Sequence, residues 1–192
     1  MYAIPLSTQT SLWWDLAILA AVFAVAIAAE GYRLRHGQGC RPLQALLLLM
    51  LLGYLCVYAF LTFFYRSSFE TPQRMLQPFW SYAEAFSLEG GFHIVRLGLA
   101  RQILLNILVY MPLGILLPAI LREKKNRILI TLLSGFGLSL LTELLQYWTR
   151  RGYCETDDLV NNTLGCLLGL AVYLLGALLL RRLLLPGNDS ER

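Results

Sequence analysis

The sequence predicts an all-α integral membrane protein, built as a bundle of five transmembrane helices. The chain of 192 residues is 57% hydrophobic and only 15% charged, a composition that would make a soluble domain aggregate. Its apolar residues form nearly uncharged runs of about 20, which is the length that crosses a hydrocarbon core as a helix. The runs lack the period-two alternation of barrel strands, so helices are the expected spanning elements.

Five spans are expected within a single domain that covers residues 1–192. They lie near residues 12–29, 43–64, 103–121, 128–148 and 159–180. We interpret the first run as a membrane helix and not as a secretory signal, because no Lys or Arg precedes it and no clear cleavage pattern closes it.

The segment 65–102, between the second and third spans, is expected to lie on the outer membrane surface. Thr71 and Pro72 have the pattern of a helix N-cap followed by proline at the first helical position. The second half of the segment spaces apolar residues against two arginines, as in an interfacial helix. Trp80 and Tyr82 are predicted interfacial anchors, and a plain aromatic belt explains them equally well.

Basic residues are concentrated on one side of the predicted topology. The segments 30–42, 122–127 and 181–192 hold ten Lys and Arg in 31 residues, whereas the opposite segments hold six in 59. The positive-inside rule therefore places the N-terminus outside and the C-terminus in the cytoplasm. This explanation also accounts for the net charge of +4, so no nucleic-acid partner is expected.

Polar side chains interrupt the third and fourth spans. Asn106 and Tyr110 share a helix face one turn apart, just before a kink expected at Pro112. Glu143 lies roughly 7–8 Å below the aromatic end of the fourth span, with Gln146 on the same stripe. An ionisable side chain at membrane depth costs about 3 kcal/mol and often marks a functional site.

The fifth span carries a third stripe. Asp157 and Asp158 occupy its first turn, where ordinary helix capping would also favour them. Asp158, Asn162, Gly165 and Gly169 repeat at i, i+4, i+7 and i+11. The two glycines allow a partner helix to approach closely, either within the chain or in a homo-oligomer.

Three polar stripes at one depth predict a binding site in the outer half of the membrane. Arg150, Arg151 or Asn106 is the expected partner of the buried Glu143 carboxylate, although simple contacts between helices are an alternative role for Glu143. The predicted ligand-binding residues are Phe79, Trp80, Asn106, Tyr110, Glu143, Gln146, Arg150, Arg151, Asp157, Asp158 and Asn162.

Two kinds of chemistry fit this composition. Carboxylates and amides suit a hard cation such as Ca²⁺ or Mg²⁺, for which Glu143, Glu155 and Asp158 are the candidate ligands. They suit hydrogen bonding to sugar or peptide groups equally well. Glu143 and Asp158 are also candidate catalytic acid and base residues, but the sequence indicates no nucleophile beside them.

Several sequence elements carry a family resemblance. They are Asn106-Ile-Leu-Val-Tyr110-Met-Pro112-Leu-Gly114, Thr142-Glu143-Leu-Leu-Gln146-Tyr147, Glu155-x-x-Asp158-x-x-x-Asn162-Thr163-Leu164-Gly165 and the upstream Gln77-Pro78-Phe79. Together they resemble the VanZ-like family of bacterial membrane proteins over roughly residues 76–175. The family-type positions are Pro78, Phe79, Asn106, Pro112, Gly114, Glu143, Gln146, Asp158, Asn162 and Gly165. Two positions depart from the pattern: Glu155 stands where many relatives carry Asp, and Cys154 where many carry an aromatic residue.

The resemblance implies a bacterial envelope protein. Some members of the family are linked to resistance toward teicoplanin-type glycopeptide antibiotics. The leading hypothesis is a non-catalytic protein of the cytoplasmic membrane, in contact with membrane lipids. Its pocket in the outer leaflet would bind a lipid-linked cell-wall component or a lipoglycopeptide. A second hypothesis is an intramembrane hydrolase or transferase acting on a lipid-linked substrate. A third is a small lipid transporter, which would need an oligomer because five spans are few for alternating access.

Overall fold

A computed structural model describes residues 9–37, 41–64, 66, 68–87 and 93–185, with backbone alone for residues 9–15. These residues form six α-helices, one π-helical turn and two short strands. In chain order they are α1 (Gln9–His36), α2 (Arg41–Ala59), the π turn (Phe60–Phe64), β1 (Gln73–Met75), α3 (Trp80–Ala85), α4 (His93–Ile120), α5 (Arg127–Thr149), β2 (Tyr153–Glu155) and α6 (Thr156–Leu184).

Five of the helical segments are long and apolar enough to cross a membrane: α1, α2 with its π turn, α4, α5 and α6. The predicted class of a helical membrane bundle is therefore confirmed. We call the end of the bundle where α5 passes into α6 the polar end. At the opposite end, which we call the arginine end, Arg122 pairs with the buried Glu30 at 3.1 Å, and Arg33 donates to the carbonyl of Ala119.

The bundle is centred on the contact between α4 and α6, the most extensive helix contact among the described residues. A Cβ atom added at Gly165 would lie 2.1 Å from the carbonyl oxygen of Ile107, and one at Gly169 would lie 2.2 Å from that of Met111. The backbones thus meet without intervening side chains. The glycine face of the fifth span is occupied within the chain, so it is not exposed for contact with a second copy.

The third membrane helix is longer than the sequence predicts. The predicted span begins at residue 103, whereas α4 begins at His93, so the second half of segment 65–102 is the start of this helix and not a separate surface element. Arg96 donates to the carbonyl of Ser87 at 2.6 Å. This bond holds the start of α4 against the preceding segment. The arginines that suggested an interfacial helix lie on the first turns of α4.

The predicted helix start at Thr71 and Pro72 is wrong. Residues 73–75 form β1, which pairs in parallel with β2, with Gln73 opposite Tyr153 and Met75 opposite Glu155. Pairing with a distant strand gives these backbone groups hydrogen-bond partners that a local capping pattern cannot anticipate. The short helix of this segment, α3, begins only at Trp80.

Candidate functional site

A cavity of about 310 Å³ lies at the polar end, chiefly among α2, α4, α5 and α6. Its polar lining residues are Tyr54, Tyr58, Thr62, Arg66, Asn106, Tyr110, Thr142, Glu143, Gln146, Asp158 and Asn162. Its apolar lining comes from α1, α2, the π turn and α4. The structure thus brings together the three polar stripes predicted from the sequence and adds a fourth from α2.

The carboxylates of the cavity are buried and hydrogen-bonded. Glu143, 4% exposed, accepts the backbone N–H of Glu155 at 2.8 Å. Asp158 accepts the side-chain amide of Asn106. These bonds hold the end of α5 against β2 and the start of α6 against α4, so the two acidic residues have fixed positions in the wall.

Asn162 lies one turn beyond Asp158 on α6 and also lines the cavity. Its amide nitrogen donates to the hydroxyl of Ser139 at 3.0 Å. Its amide oxygen is buried and has no hydrogen-bond partner among the described residues. An acceptor in that state costs about 1–3 kcal/mol, which identifies Asn162 as a position suited to receive a donor from outside the chain.

A chain of hydroxyl groups forms another part of the wall. The hydroxyl of Tyr58 lies 2.7 Å from those of both Tyr110 and Thr142. Tyr54, one turn before Tyr58, donates to the carbonyl of Val109 at 2.9 Å. Tyr54 and Tyr58 are not among the predicted site residues. Their i, i+4 spacing in an otherwise aliphatic span is the sequence pattern that would have indicated them.

Arg66 also lines the cavity. From the sequence alone it is one of the basic residues between the second and third spans, with no sign of a role in a site. In the amide orientation that satisfies both groups, the side-chain oxygen of Gln146 accepts from the Arg66 guanidinium at 3.1 Å, and its nitrogen donates to the carbonyl of Tyr153. Gly152 makes room for this arginine, because a Cβ atom there would lie 2.7 Å from the guanidinium. Gly152 also has φ of +105°, which favours glycine.

The arginines predicted to neutralise Glu143 are used elsewhere. Arg150 ends α5 in the left-handed conformation, and its guanidinium donates to the carbonyl of Glu70 at 3.1 Å. Arg151 donates to the carbonyl of Phe63 at 2.6 Å, in the π turn, where carbonyls lack regular α-helical partners. Both residues stabilise backbone at the polar end, and neither lines the cavity.

Asp157 and the aromatic pair before it also lie outside the cavity. Asp157 accepts the backbone N–H of Phe79, and both the N–H and the hydroxyl of Ser81, at 2.9 and 2.6 Å. It therefore anchors the start of α3. Phe79 is exposed, and the indole nitrogen of Trp80 is buried without a partner within the part of the chain that the structure describes.

Glu155 lies beside the cavity, at the end of β2. It is buried and accepts the amide of Gln102 at 3.3 Å. Burial, reinforced by the nearby Asp158 carboxylate, raises the pKa of Glu155 to about 7. Burial likewise raises the pKa of the Cys154 thiol, so that thiol stays protonated at neutral pH and is a weak nucleophile.

The candidate cation ligands do not fit a metal ion. Within the described ranges, no three His, Cys, Asp or Glu side chains form a group that could hold one. Glu143 instead accepts a backbone N–H, Glu155 accepts the amide of Gln102, and Asp158 accepts the amides of Asn106 and Gln102. We assign no metal site to this cluster.

The pKa of Glu155 predicts a pH-dependent stability. An acid with a raised folded-state pKa binds more protons when folded, so stability falls as pH rises from about 4.5 to about 7 and then levels off. The effect is at most about 3 kcal/mol. Thermal unfolding of the detergent-solubilised protein across this range measures it. Glu155→Gln removes this carboxyl, so wild type and variant should differ most above pH 7, with the variant more stable; parallel curves would contradict the prediction.

The family model described as VanZ/LLP1 matches residues 45–180, which include most of α2, both strands, most of α6 and all the residues that line the cavity except Ile18. The chain belongs to the VanZ/LLP1 family. Neither the search of curated proteins nor the search of solved structures gave a significant match.

The VanZ/LLP1 match begins within α2, and so covers residues that lie before the resemblance over residues 76–175. Tyr54, Tyr58, Thr62 and Arg66 all lie inside the matched range and all line the cavity. The matched range therefore contains the parts of the cavity wall that come from α2, the π turn and Arg66 as well as those from α4, α5 and α6.

Proposed function

We propose that this membrane protein binds the headgroup of an amphipathic molecule in the cavity at the polar end. The observation that carries the proposal is the division of the cavity wall. Carboxylates and amides of α4, α5 and α6 line one part, whereas apolar residues of α1, α2 and α4 line another. Ile18, Val57 and Leu61 line the cavity and are also about half exposed, so the apolar part opens on the side of the bundle, where an acyl or isoprenoid chain would extend into lipid.

The proposed ligand is a lipid-linked cell-wall component or a lipidated glycopeptide antibiotic. The positive-inside distribution supports an orientation in the cytoplasmic membrane with the arginine end in the cytoplasm and the polar end outside. Both ligand types present polar groups in that outer leaflet. Through such binding the protein would contribute to teicoplanin-type resistance, as the family resemblance suggests, by lowering engagement of the drug with its target.

Native mass spectrometry of the detergent-purified protein tests the proposal. Glu143→Gln keeps an oxygen that can accept the Glu155 N–H but removes the buried charge. We expect a lipid, precursor or lipopeptide to remain bound to wild type, and to be reduced at least about tenfold in the variant, since a hydrogen bond to a charged group contributes about 1.5–3 kcal/mol. Glu84→Gln, which alters an exposed carboxylate, is the matched control. Equal occupancy in all three proteins would refute the proposal.

A second candidate function is hydrolysis or transfer on a lipid-linked substrate. The observation that favours it is the Glu155 carboxyl, whose pKa of about 7 suits general acid–base catalysis near neutral pH. Glu155→Gln tests this role: an enzyme that uses Glu155 as acid or base loses turnover in the variant while part of its binding remains, whereas a binding protein releases no product in either form. Incubation with lipid-linked wall precursors, followed by mass analysis of products, is the measurement.

A further inference from the structure

The polar part of the cavity has more hydrogen-bond acceptors than donors. Glu143 and Asp158 each have two carboxylate oxygens, with about four acceptor sites per group. Glu143 accepts the Glu155 N–H, and Asp158 accepts bonds from the side-chain amides of Asn106 and Gln102, so both groups keep open acceptor sites. One of the two amide N–H donors of Asn106 is used on Asp158, and one of those of Asn162 is used on Ser139. A ligand that brings its own N–H donors fits this part of the wall.

The unpartnered oxygen of Asn162 indicates the same preference independently. Asn162 is 5% exposed and lines the cavity, and no residue that the structure describes donates to its oxygen. Asn162 and Asp158 lie one helical turn apart on α6, so a single group between them can donate to both. A ligand ammonium offers three N–H donors and a positive charge, which also offsets the two buried carboxylates.

Arg66 supplies the opposite charge at the edge of the same cluster, and its charge acts on the carboxylates of Glu143, Glu155 and Asp158. It is exposed, whereas Glu143 and Asp158 are buried, so the cation lies toward solvent and the carboxylates lie deeper. The side-chain oxygen of Gln146 accepts a hydrogen bond from the guanidinium, and Gly152 leaves room for it. A guanidinium at this position pairs well with a phosphate or carboxylate.

We propose that the ligand of this cavity is a zwitterionic amphipath, whose primary ammonium binds Glu143, Asp158 and Asn162 and whose anionic group binds Arg66. This inference rests on the proposed function and narrows its ligand class. Two sources share the chemistry: an ethanolamine phospholipid, and a lipid-linked wall peptide with a free amine. The ammonium occupies the deep part of the cavity, the anion lies near Arg66, and the chain leaves past Val57 and Leu61.

Binding of short-chain lipids to the detergent-purified wild-type protein tests the inference without any mutation. The probes are phosphatidylethanolamine, phosphatidylcholine and phosphatidylglycerol with identical chains. Phosphatidylcholine is trimethylated and so lacks all three N–H donors, and phosphatidylglycerol lacks the cation. Phosphatidylethanolamine is therefore expected to bind at least about tenfold more tightly than either of these lipids. A parallel pair, a lysine-containing lipopeptide and its Nζ-acetylated form, tests the second source in the same way.

Two variants locate the charges. Arg66→Gln should weaken binding of every phosphate-bearing lipid by a similar factor and leave the preference for the free amine intact, whereas Glu143→Gln should reduce that preference. Arg74→Gln, which changes an exposed arginine of β1 outside the cavity, is the control for Arg66→Gln. An unchanged amine preference in Glu143→Gln would overturn the assignment of the ammonium to the carboxylates.

The outcomes separate this inference from the proposed function. Preference for phosphatidylethanolamine identifies the phospholipid source, and preference for the free amine only within the lipopeptide pair identifies the wall-peptide source. Equal binding of amine and non-amine probes overturns the inference, while a co-purified ligand without an amine, lost in Glu143→Gln, would leave the proposed function standing. Absence of any bound ligand or probe would overturn both.

Discussion

Replacing Gly165 with alanine is expected to prevent stable folding of the bundle. The added Cβ would lie 2.1 Å from the carbonyl oxygen of Ile107, and backbone on both sides of the contact cannot move aside as a flexible side chain can. Forced overpacking of this kind costs about 3 kcal/mol or more. The measurement is thermal unfolding in detergent, with the fraction of monodisperse protein recovered by size exclusion.

Gly137→Ala is the matched control, because a Cβ at this glycine of α5 has no atom within 4 Å. Alanine favours an exposed helix over glycine by about 1 kcal/mol, so this variant should equal or exceed wild type in stability. The prediction fails if the Gly165 and Gly137 variants unfold at the same temperature, since both make the same chemical change in a long helix.

Replacing Asp157 with alanine is expected to release α3 from the bundle. This carboxylate accepts hydrogen bonds from the backbone of Phe79 and from the backbone and hydroxyl of Ser81. Its loss leaves buried donors unsatisfied at about 1–3 kcal/mol each. Hydrogen exchange across residues 79–86 should accelerate more than exchange in the bundle helices, together with a lower unfolding temperature.

Two milder substitutions should release α3 to a smaller extent. Ser81→Ala removes one donor together with its need for a partner, so its cost should be the smallest of the series. Asp157→Asn keeps one acceptor oxygen and should lie between Ser81→Ala and Asp157→Ala. If the alanine variant at position 157 exchanges in residues 79–86 as slowly as wild type, the carboxylate does not hold this helix.

The sequence was sufficient for the membrane-spanning architecture, because apolar runs of this length have one common solution in a bilayer. It was also sufficient for the close approach at Gly165, where the spacing of small residues marks a helix contact. It was insufficient for β1, since residues 73–75 pair with residues 153–155 and local propensity contains no information about so distant a partner. The start of α4 was misplaced for a related reason, because a helix need not end at the membrane surface.

The candidate site was partly predictable. Asn106, Glu143 and Asp158 were found because polar atoms inside apolar runs are costly and share one depth. Arg66 was missed because it follows a span, and only the fold brings a loop residue over the cavity. Arg150 and Arg151 were assigned to the site as cations near Glu143 in the sequence, but α5 ends at a left-handed turn at Arg150, and both guanidinium groups donate to backbone carbonyls elsewhere.

The pairing of β1 with β2 makes this site a late product of synthesis and insertion. The two strands lie on either side of α4 and α5 in the chain, and β2 leads directly into α6. Neither the ladder nor the Glu143 to Glu155 bond can form until α4 and α5 have been made and β2 follows them. A ribosome-bound chain that stops before α6 also lacks Asp158 and Asn162, so it cannot form the complete cavity, however well its first four spans have entered the bilayer.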